Sequence, residues 1–359
     1  MNILLVVPRL NIGGAETYVA TTAIALKQLG HSVAVASGGG MLANFLQEQG
    51  IKHYYVPIRF NNTLSAWLLE QIVRRCQIEL IHANSAAAGI AAVKAKQRIN
   101  IPVVYTAHGI FGHKAKEKSI NQCDKIICVS EYVRRYAIKE GFTPDKLVTL
   151  YSGIDLQKFK PDSEKAKAIR KILGIPEDAF TIAIIARIKN LHSKGHVDVL
   201  KLLKTYNGAQ NWHLLVIGKG KGLWKLKYHS WRHNLSQRVH YLGHMVNVQD
   251  ALDGVDATVL PSNFETFGLV LIESMAMEKP VVTYAVGGTP EAIDHGRTGF
   301  LVEKNNLDEL YQRLHVLAND KTLCWAMGQQ GRSWVEERFA KEVMTQKLVE
   351  IYQEAVFNA

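Results

Sequence analysis

Two acidic residues in one short segment are strong candidates for chemistry in this sequence. Glu265 and Glu273 lie in FETFGLVLIES, where a helix is predicted to begin near Gly268. Carboxylates at such a position can accept hydrogen bonds from the hydroxyls of a sugar or a ribose. The alternative is structural, because a carboxylate near a helix start also stabilises the helix dipole.

The start of the same helix could bind an anion. The backbone amides of Phe267, Gly268 and Leu269 are predicted to lack acceptors within the helix. Such amides, at the positive end of a helix dipole, suit a phosphate or another anion.

Two basic residues share a second loop, ARIKNLHSKGH, which follows an apolar run. Arg187 offers a planar fork of donors and Lys194 a compact charge. This combination suits a diphosphate held without a metal ion. A solvated surface loop is the alternative interpretation.

Two loops in the first half of the chain are weaker candidates. Gly13 and Gly14 in NIGGAE would let the backbone approach a ligand closely at a helix N-terminus. His108 in TAHG follows an apolar run at the predicted end of a strand. A tight turn and a structural histidine are the respective alternatives, and the second also applies to His82 in IHANS.

The elements that must position these residues alternate along the chain. Apolar runs followed by segments of helical period predict strands at 3–7, 32–36, 53–56, 80–82, 103–106, 125–129, 147–150, 181–186, 213–217, 239–241, 257–260, 281–283 and 300–302. Strands alternating with helices predict doubly wound parallel sheets, whose ligands bind beyond the carboxyl ends of the strands.

A pause in this alternation divides the chain. We expect an N-terminal domain at 1–155, a Pro- and charge-rich linker at 156–178, a second domain at 179–335 and a C-terminal helix within 336–359 that packs on either domain. The length of 359 residues is consistent with two domains of ordinary size.

Composition limits the class of protein. Hydrophobic residues make up 47% and charged residues 21%, which is typical of a globular chain. No apolar run is long enough to span a membrane, and MNILLVVPRL lacks the features of a signal peptide. We therefore expect a cytoplasmic location, with peripheral contact at the inner face of the cell membrane as a further expectation. The four cysteines form no C-x-x-C pair, so we expect free thiols. The net charge of +11 predicts an anionic partner.

Taken together, the motifs resemble retaining glycosyltransferases of family GT4, and the resemblance covers essentially the whole chain. The most specific element is Glu265-x7-Glu273 in its FGL context. The other motifs stand in the family's order: GGAE at 13–16, TAHG at 106–109, VS at 129–130, GID at 153–155, Arg187 with Lys194-Gly195, GH at 243–244 and GG-x-x-E at 287–291.

The resemblance implies an α/β fold of GT-B architecture, in which two Rossmann-like domains face each other across a cleft. It implies that His108, Glu265, Arg187 and Lys194 are catalytic. Donor-binding residues would be Gly13, Gly14, Phe267, Gly268, Leu269, Glu273, Gly218, His244 and Met245. The acceptor-side candidates are Glu16, Asn84 and Ser130.

The resemblance also implies the reaction. A hexose-type sugar would move from a UDP- or GDP-linked donor to a glycan or lipid-linked acceptor. The sequence contains no Asp-x-Asp motif, so we expect no metal ion and no cofactor. Ala186 stands where the family usually has glycine, and the loop at 188–193 is longer than usual, which leaves the identity of the donor open.

Three other functions remain as alternatives. A nucleotide-sugar epimerase would share the fold, although the Glu265-x7-Glu273 pattern argues against it. A non-catalytic sugar-nucleotide-binding subunit is the second. Nucleic-acid binding would draw on the basic run at 219–238, but no recognised binding motif accompanies it. Phosphate-containing donors and an anionic membrane surface explain the charge more simply. The expected membrane contacts are Lys94, Lys96, Arg98, Lys114, Lys116, Lys118, Arg134 and Arg135, and the alternative is that these residues are scattered over a solvated surface.

Overall fold

The computed structural model describes residues 1–11, 13–110 and 115–358. Contacts divide the chain into two compact units. Unit 1 comprises Met1–Gly153 and Phe339–Ala359, and unit 2 comprises Ile154–Arg338.

Unit 1 is built around a parallel sheet. Its strands are β1 (Asn2–Val6), β2 (Ser32–Ser37), β3 (Lys52–Tyr55), β4 (Leu80–Ala83), β5 (Val103–Ala107), β6 (Lys125–Cys128) and β7 (Leu147–Thr149). Their order in the sheet is β3-β2-β1-β4-β5-β6-β7. The helices are α1 (Gly14–Gln28), α2 (Met41–Glu48), α3 (Asn62–Cys76), α4 (Ala86–Ile99) and α5 (Glu131–Lys139), with 3-10 helices at Ala115–Gln122 and Pro144–Lys146.

The C-terminal helix α14 (Lys341–Phe357) completes unit 1. Met344, Leu348 and Tyr352 recur every fourth residue, so they share one face of the helix. That face is buried in the same hydrophobic cluster as Ile3 and Leu5 of β1. The last helix is therefore part of the core of unit 1.

Unit 2 repeats this architecture. Its strands are β8 (Phe180–Ile185), β9 (Trp212–Ile217), β10 (Val239–Gly243), β11 (Ala257–Leu260), β12 (Val281–Tyr284) and β13 (Gly299–Val302). All are parallel, in the order β10-β9-β8-β11-β12-β13. The helices are α6 (Ser163–Ile172), α7 (His196–Thr205), α8 (Leu223–Arg232), α9 (Val248–Asp253), α10 (Leu269–Ala276), α11 (Thr289–Ala292), α12 (Leu307–Asn319) and α13 (Lys321–Arg338), with a 3-10 helix at Asn207–Ala209.

The predicted linker at 156–178 needs correction, because these residues belong to unit 2. Their charges form tertiary contacts. Asp162 caps α6 by accepting hydrogen bonds from the amides of Glu164 and Lys165. Arg170 donates to the carbonyl of Gly254 at 3.0 Å and to Asp256 at 2.6 Å. Charged residues that suggested an exposed loop therefore attach a helix to the unit.

No helix in the described part of the chain is both long enough and apolar enough to cross a lipid bilayer.

Candidate active site

Each predicted site residue of unit 2 lies just beyond the end of a strand or in the helix that follows. Arg187 follows β8, Gly218 follows β9, and His244 follows β10. Glu265 lies in the loop after β11, and Glu273 lies within α10. The parallel sheet thus gathers these residues at its carboxyl edge, where doubly wound folds bind ligands.

Lys194 and Glu265 form an ion pair. Lys194 Nζ lies 2.5 Å from Glu265 Oε1, and Ser262 Oγ donates to the same oxygen at 2.9 Å. The Glu265 side chain is 12% exposed and that of Lys194 is 29% exposed, so water screens the pair only in part. The structure therefore brings together Lys194, which was predicted to contact the diphosphate, and Glu265, which was predicted to contact the sugar.

Two hydrogen bonds hold the loops that carry this pair. The amide of Asn263 donates to the carbonyl of Ser193 at 3.1 Å, and Asn263 Nδ2 donates to the carbonyl of His192 at 2.7 Å. The loop after β11 is thereby attached to the loop after β8. The distance between Lys194 and Glu265 is set by backbone as well as by charge.

Two glycines allow this close approach. Gly195 has a φ of 72°, and a Cβ there would lie 2.1 Å from the carbonyl oxygen of Pro261. Gly287 has a φ of 58°, and a Cβ there would lie 1.8 Å from the carbonyl oxygen of Glu265. Any side chain would push the backbone away in both places. The Lys-Gly and Gly-Gly motifs are therefore needed to position Lys194 and Glu265.

The start of α10 lies directly beyond this pair. Gly268 precedes the helix with a φ of 94°, and no side chain of the described residues caps it. Phe267 is buried, and Leu269 is partly buried. Since helix α10 has eight residues, its first amides present a modest positive dipole to an anion.

Glu273 has a perturbed pKa. The side chain is partly buried, and desolvation raises its pKa from 4.5 to about 7, while the positive charge of Lys158 opposes the rise. Near neutral pH the carboxyl group is therefore partly protonated. Hydroxyl donors from a ligand would replace the lost water and favour the charged form.

The other residues of unit 2 that were predicted to contact the nucleotide-sugar donor lie near the same edge of its sheet. Arg187 is exposed and forms no ion pair with other described residues. The amide of Gly218 donates to the carbonyl of Gly243, which joins the loops after β9 and β10. His244 is exposed and Met245 is partly buried. Desolvation lowers the pKa of His244, and Lys219 adds to the effect.

In unit 1, His108 contacts two neutral side chains, Asn84 and Tyr18. Its Nε2 donates to Asn84 Oδ1 at 3.2 Å, since Asn84 Nδ2 donates to the carbonyl of His82. The ring of Tyr18 meets the His108 ring edge-on at 4.8 Å. Desolvation lowers the pKa of His108 to about 4, so the imidazole is neutral at pH 7.

The predicted acceptor-side residues differ in availability. Asn84 is 1% exposed and Ser130 is 0% exposed. Ser130 Oγ caps α5 by accepting from the amide of Val133 at 3.2 Å, and Asn84 orients His108. Glu16 is partly exposed in the first turn of α1, and its carboxylate folds back towards Gly13. Gly13, at the N-cap, has an extended backbone, and Gly14 begins α1.

Three residues of the site region were not predicted from sequence. Ser262 and Asn263 could have been found as polar residues at the end of a buried strand. His196 opens α7, is 1% exposed, and neither ring nitrogen has a hydrogen-bond partner among the described residues. Burial lowers its pKa to about 4, so His196 is a neutral neighbour of Lys194.

A cavity of about 560 Å³ in unit 1 lies elsewhere. Its lining residues are Arg74, Val93, Lys96, Gln97, Arg98, Ile99, Asn100 and Gln122. They surround the C-terminal end of α4, close to where β5 begins, so this cavity is at the opposite edge of the sheet from His108. Among the described residues, no cluster of three or more His, Cys, Asp or Glu side chains could hold a metal ion.

Known proteins with this sequence pattern and fold are glycosyltransferases. The family described as "Glycosyl transferases group 1" matches residues 165–334, and "Glycosyltransferase Family 4" matches residues 12–158. The UDP-Gal:alpha-D-GlcNAc-diphosphoundecaprenol alpha-1,3-galactosyltransferase of Escherichia coli is 24% identical over 90% of this chain and 89% of that protein. The N-acetyl-alpha-D-glucosaminyl L-malate synthase of Bacillus anthracis is 29% identical over 80% of this chain and 78% of that protein.

The fold also agrees with solved structures. Anabaena HepE, solved in complex with UDP and glucose, superposes with a TM-score of 0.88 at 22% identity, covering 98% of this chain and 99% of that chain. The chain therefore belongs to the family 4 glycosyltransferases, and its two Rossmann-like units form the GT-B fold. The resemblance inferred from the motifs and the predicted fold class are confirmed.

Proposed function

We propose that this chain is a retaining, metal-independent glycosyltransferase. It transfers a hexose-type sugar from a UDP- or GDP-linked donor to a glycan or lipid-linked acceptor, in the synthesis of a cell-surface polysaccharide or glycolipid. The nucleotide sugar is a co-substrate, and the proposed reaction uses no cofactor.

The Lys194–Glu265 ion pair beside the start of α10 is the observation that carries this proposal. A departing nucleotide diphosphate develops negative charge, which Lys194, Arg187 and the amides of α10 are suited to stabilise. When the diphosphate draws Lys194 away, Glu265 loses its ionic partner. Its carboxylate can then accept hydrogen bonds from the hydroxyls of the transferred sugar.

Glu273 and its surroundings fit the nucleotide. Its partly buried carboxyl group suits the two hydroxyls of a ribose, and Gly218, His244 and Met245 provide loop contacts beyond the same strand ends. In unit 1, we assign His108 to the transferred sugar and Glu16 to the acceptor side. Asn84 and Ser130 support this region from buried positions.

The substrate classes draw support from the relatives. The Escherichia coli relative is named for UDP-Gal as the donor and a diphosphoundecaprenol-linked sugar as the acceptor. The Anabaena protein was solved with UDP and glucose. Both point to a nucleotide-sugar donor for this chain and leave the particular sugar open.

Contact with an anionic membrane surface is part of the proposal. Several of the expected unit 1 cations are already paired, which weakens them as contacts: Lys96 with Asp124, Arg98 with Glu70 and Arg134 with Glu131. Lys114 lies outside the described residues. Unit 1 charge alone is therefore a limited explanation for membrane binding.

A ligand screen tests the donor. The purified chain is heated with UDP-, GDP- and ADP-sugars, and one nucleotide class should raise the melting temperature. Glu273→Gln should reduce that rise, whereas Glu303→Gln, at an exposed position, should not. A chain that no nucleotide sugar stabilises would contradict the proposed function.

Turnover separates an enzyme from a binding subunit. The stabilising donor is incubated with lipid-linked and soluble glycan acceptors, with and without EDTA, and the anomeric configuration of the product is read by NMR. We expect transfer with retention that is unchanged by EDTA. Activity that EDTA removes and magnesium or manganese restores would overturn metal independence, and inversion would overturn the mechanism. An epimerised donor without transfer would favour an epimerase.

A further inference from the structure

Helix α8 presents three aromatic side chains to solvent. Trp224 is 66% exposed, Tyr228 is 49% exposed and Trp231 is 67% exposed. Their spacing of four and three residues places them on one face of the helix. Large aromatic residues are rarely left in water in this number on one short helix, so the face is suited to an interface.

The surroundings of this face are strongly basic. From 199 to 249 the sequence contains no Asp or Glu. The same stretch contains eight cationic residues: Lys201, Lys204, Lys219, Lys221, Lys225, Lys227, Arg232 and Arg238. Those on and just before α8, from Lys219 to Arg232, are exposed and form no ion pair with any described residue.

The helix is firmly attached on its other side. Leu226 and Ser230 are 0% and 1% exposed, respectively, so one face of α8 is buried within unit 2. On the outer side, the rings of Tyr228 and Trp231 lie 5.9 Å apart, and Lys225 Nζ lies 5.4 Å from the centre of the Trp224 ring. Lys227 Nζ lies 5.5 Å from the centre of the Tyr241 ring. We call the exposed side of the helix the α8 surface: Trp224, Lys225, Lys227, Tyr228 and Trp231.

We propose that the α8 surface binds the interface of an anionic lipid membrane. Trp and Tyr side chains favour the headgroup region of a bilayer. There the apolar body of the ring contacts the lipid, and its N–H or O–H group reaches water. Lysine stems can lie along that region while their ammonium groups reach anionic headgroups. The inference deepens the proposed function and rests on it, because a lipid-linked acceptor would be found at such a membrane.

The shape of the patch favours a membrane over a nucleic acid. Single-stranded nucleic acids bind in charged grooves whose aromatic side chains stack on successive bases. The α8 surface is instead the outer face of a helix, and Tyr228 and Trp231 already contact each other. Their rings therefore leave no slot for a base between them.

Vesicle flotation tests this inference with the full chain. Vesicles of phosphatidylcholine alone and of phosphatidylcholine with phosphatidylglycerol are compared at low and high salt. We expect the protein to float with the anionic vesicles at low salt and to be released in part at high salt. Tryptophan emission should shift to shorter wavelength in the bound state.

Variants of the patch locate the contact. Lys225→Gln with Lys227→Gln should lower the partition coefficient about 25-fold, from about fivefold for each lysine. Trp224→Ala with Trp231→Ala should lower it about tenfold and remove the emission shift. The matched controls are Lys304→Gln with Lys321→Gln, and Trp325→Ala, whose side chain is 67% exposed in the same unit. The controls should bind like the wild-type chain.

Flotation tests the membrane surface, and the melting shift with nucleotide sugars tests the proposed function separately. A wild-type chain that floats with neither vesicle overturns the membrane surface, as does flotation that the α8 variants and the controls reduce equally. Binding to a single-stranded oligonucleotide or a soluble acidic polysaccharide without vesicle binding also overturns it. The nucleotide-sugar melting shift, measured on the same preparations, reports donor binding. A normal shift without flotation would overturn the membrane contact and leave the proposed sugar transfer standing.

Discussion

The two units share a sheet topology but not a site chemistry. Without β7, the strands of unit 1 follow the order β3-β2-β1-β4-β5-β6, and unit 2 repeats it as β10-β9-β8-β11-β12-β13. In both, the candidate site residues follow the carboxyl ends of strands. The fold therefore provides the same positions twice.

The side chains at these positions differ in charge. Around β4 and β5, unit 1 has a buried neutral network, in which His82 Nδ1 lies 2.6 Å from Tyr352 Oη and His82 Nε2 lies 2.7 Å from Thr106 Oγ1. Burial lowers the pKa of His82 to about 3. Unit 2 instead has Arg187, Lys194, Glu265 and Glu273 near its strand ends.

This difference suggests a division of labour. Ionised groups in a partly screened position suit a diphosphate and the charge that develops when it leaves. Neutral, hydrogen-bonded groups such as His108 suit an uncharged part of a ligand, in addition to the hydroxyls that the carboxylates of unit 2 are proposed to bind. The same topology can therefore serve two ligands, because chemistry depends on the side chains that follow the strands.

The largest expected effect is a loss of turnover when a charged residue of unit 2 is removed. Lys194→Ala should lower kcat at saturating donor by about 100- to 1,000-fold, because the role proposed for Lys194 is to stabilise charge that develops chiefly in the transition state. Lys189→Ala, at an exposed position of the same loop, is the control and should keep its activity. Initial rates at several donor concentrations measure the effect. A change confined to KM would assign Lys194 to ground-state binding.

Substitutions of the two carboxylates of unit 2 should have different effects on donor binding and turnover. Glu273→Gln should weaken donor binding by about 1 to 3 kcal/mol, through lost hydrogen bonds to a charged acceptor. Glu265→Gln should mainly lower kcat, since the proposed mechanism moves this carboxylate from Lys194 to the hydroxyls of the transferred sugar. Calorimetry gives the Kd values, and steady-state kinetics give kcat. Equal losses of affinity in both variants would show that the roles are misassigned.

The buried neutral network of unit 1 can be tested through the free energy of unfolding. Tyr352→Phe removes the hydroxyl that pairs with His82 Nδ1 and leaves a buried nitrogen without its partner. We expect a loss of about 1 to 3 kcal/mol in the free energy of unfolding. Tyr55→Phe, at a side chain that is 68% exposed, should be close to neutral. Denaturant unfolding measures both, and equal values would mean that the network does not stabilise unit 1.

Local pattern was sufficient for most of the fold. Helix α14 spans Lys341–Phe357 and so lies within the segment 336–359 in which a C-terminal helix was predicted. Apolar runs such as that of β1 identified the strands, because parallel strands are buried on both faces. The linker prediction was wrong because Arg170 bonds to residues more than eighty positions away. No local pattern contains that partner.

The sequence was sufficient to select candidate site residues, but it could not show which of them contact each other. Motif spacing selected Lys194 and Glu265 separately, and only the fold shows that they contact each other across 71 positions of sequence. Ser130 was assigned to the acceptor side, although a serine that precedes Glu131 at a helix start is also a typical N-cap. Desolvation of Glu273 depends on its tertiary surroundings, so the sequence could not reveal its pKa.

The pH dependence of donor binding gives the smallest expected effect and refines the comparison further. The raised pKa of Glu273, about 7, means that the unliganded carboxyl group gains a proton as the pH falls below 7. A ribose hydroxyl that donates to this group needs the carboxylate, so binding should release a proton, and Kd should rise by at most about tenfold per pH unit below 7. Above pH 8, Kd should level off.

The donor is titrated rather than the free nucleotide, because a terminal phosphate itself titrates near pH 6. Glu273→Gln should remove this dependence, while His108, with a pKa of about 4, should contribute none between pH 5.5 and 8.5. A pH dependence that persists unchanged in Glu273→Gln would place the titrating group elsewhere.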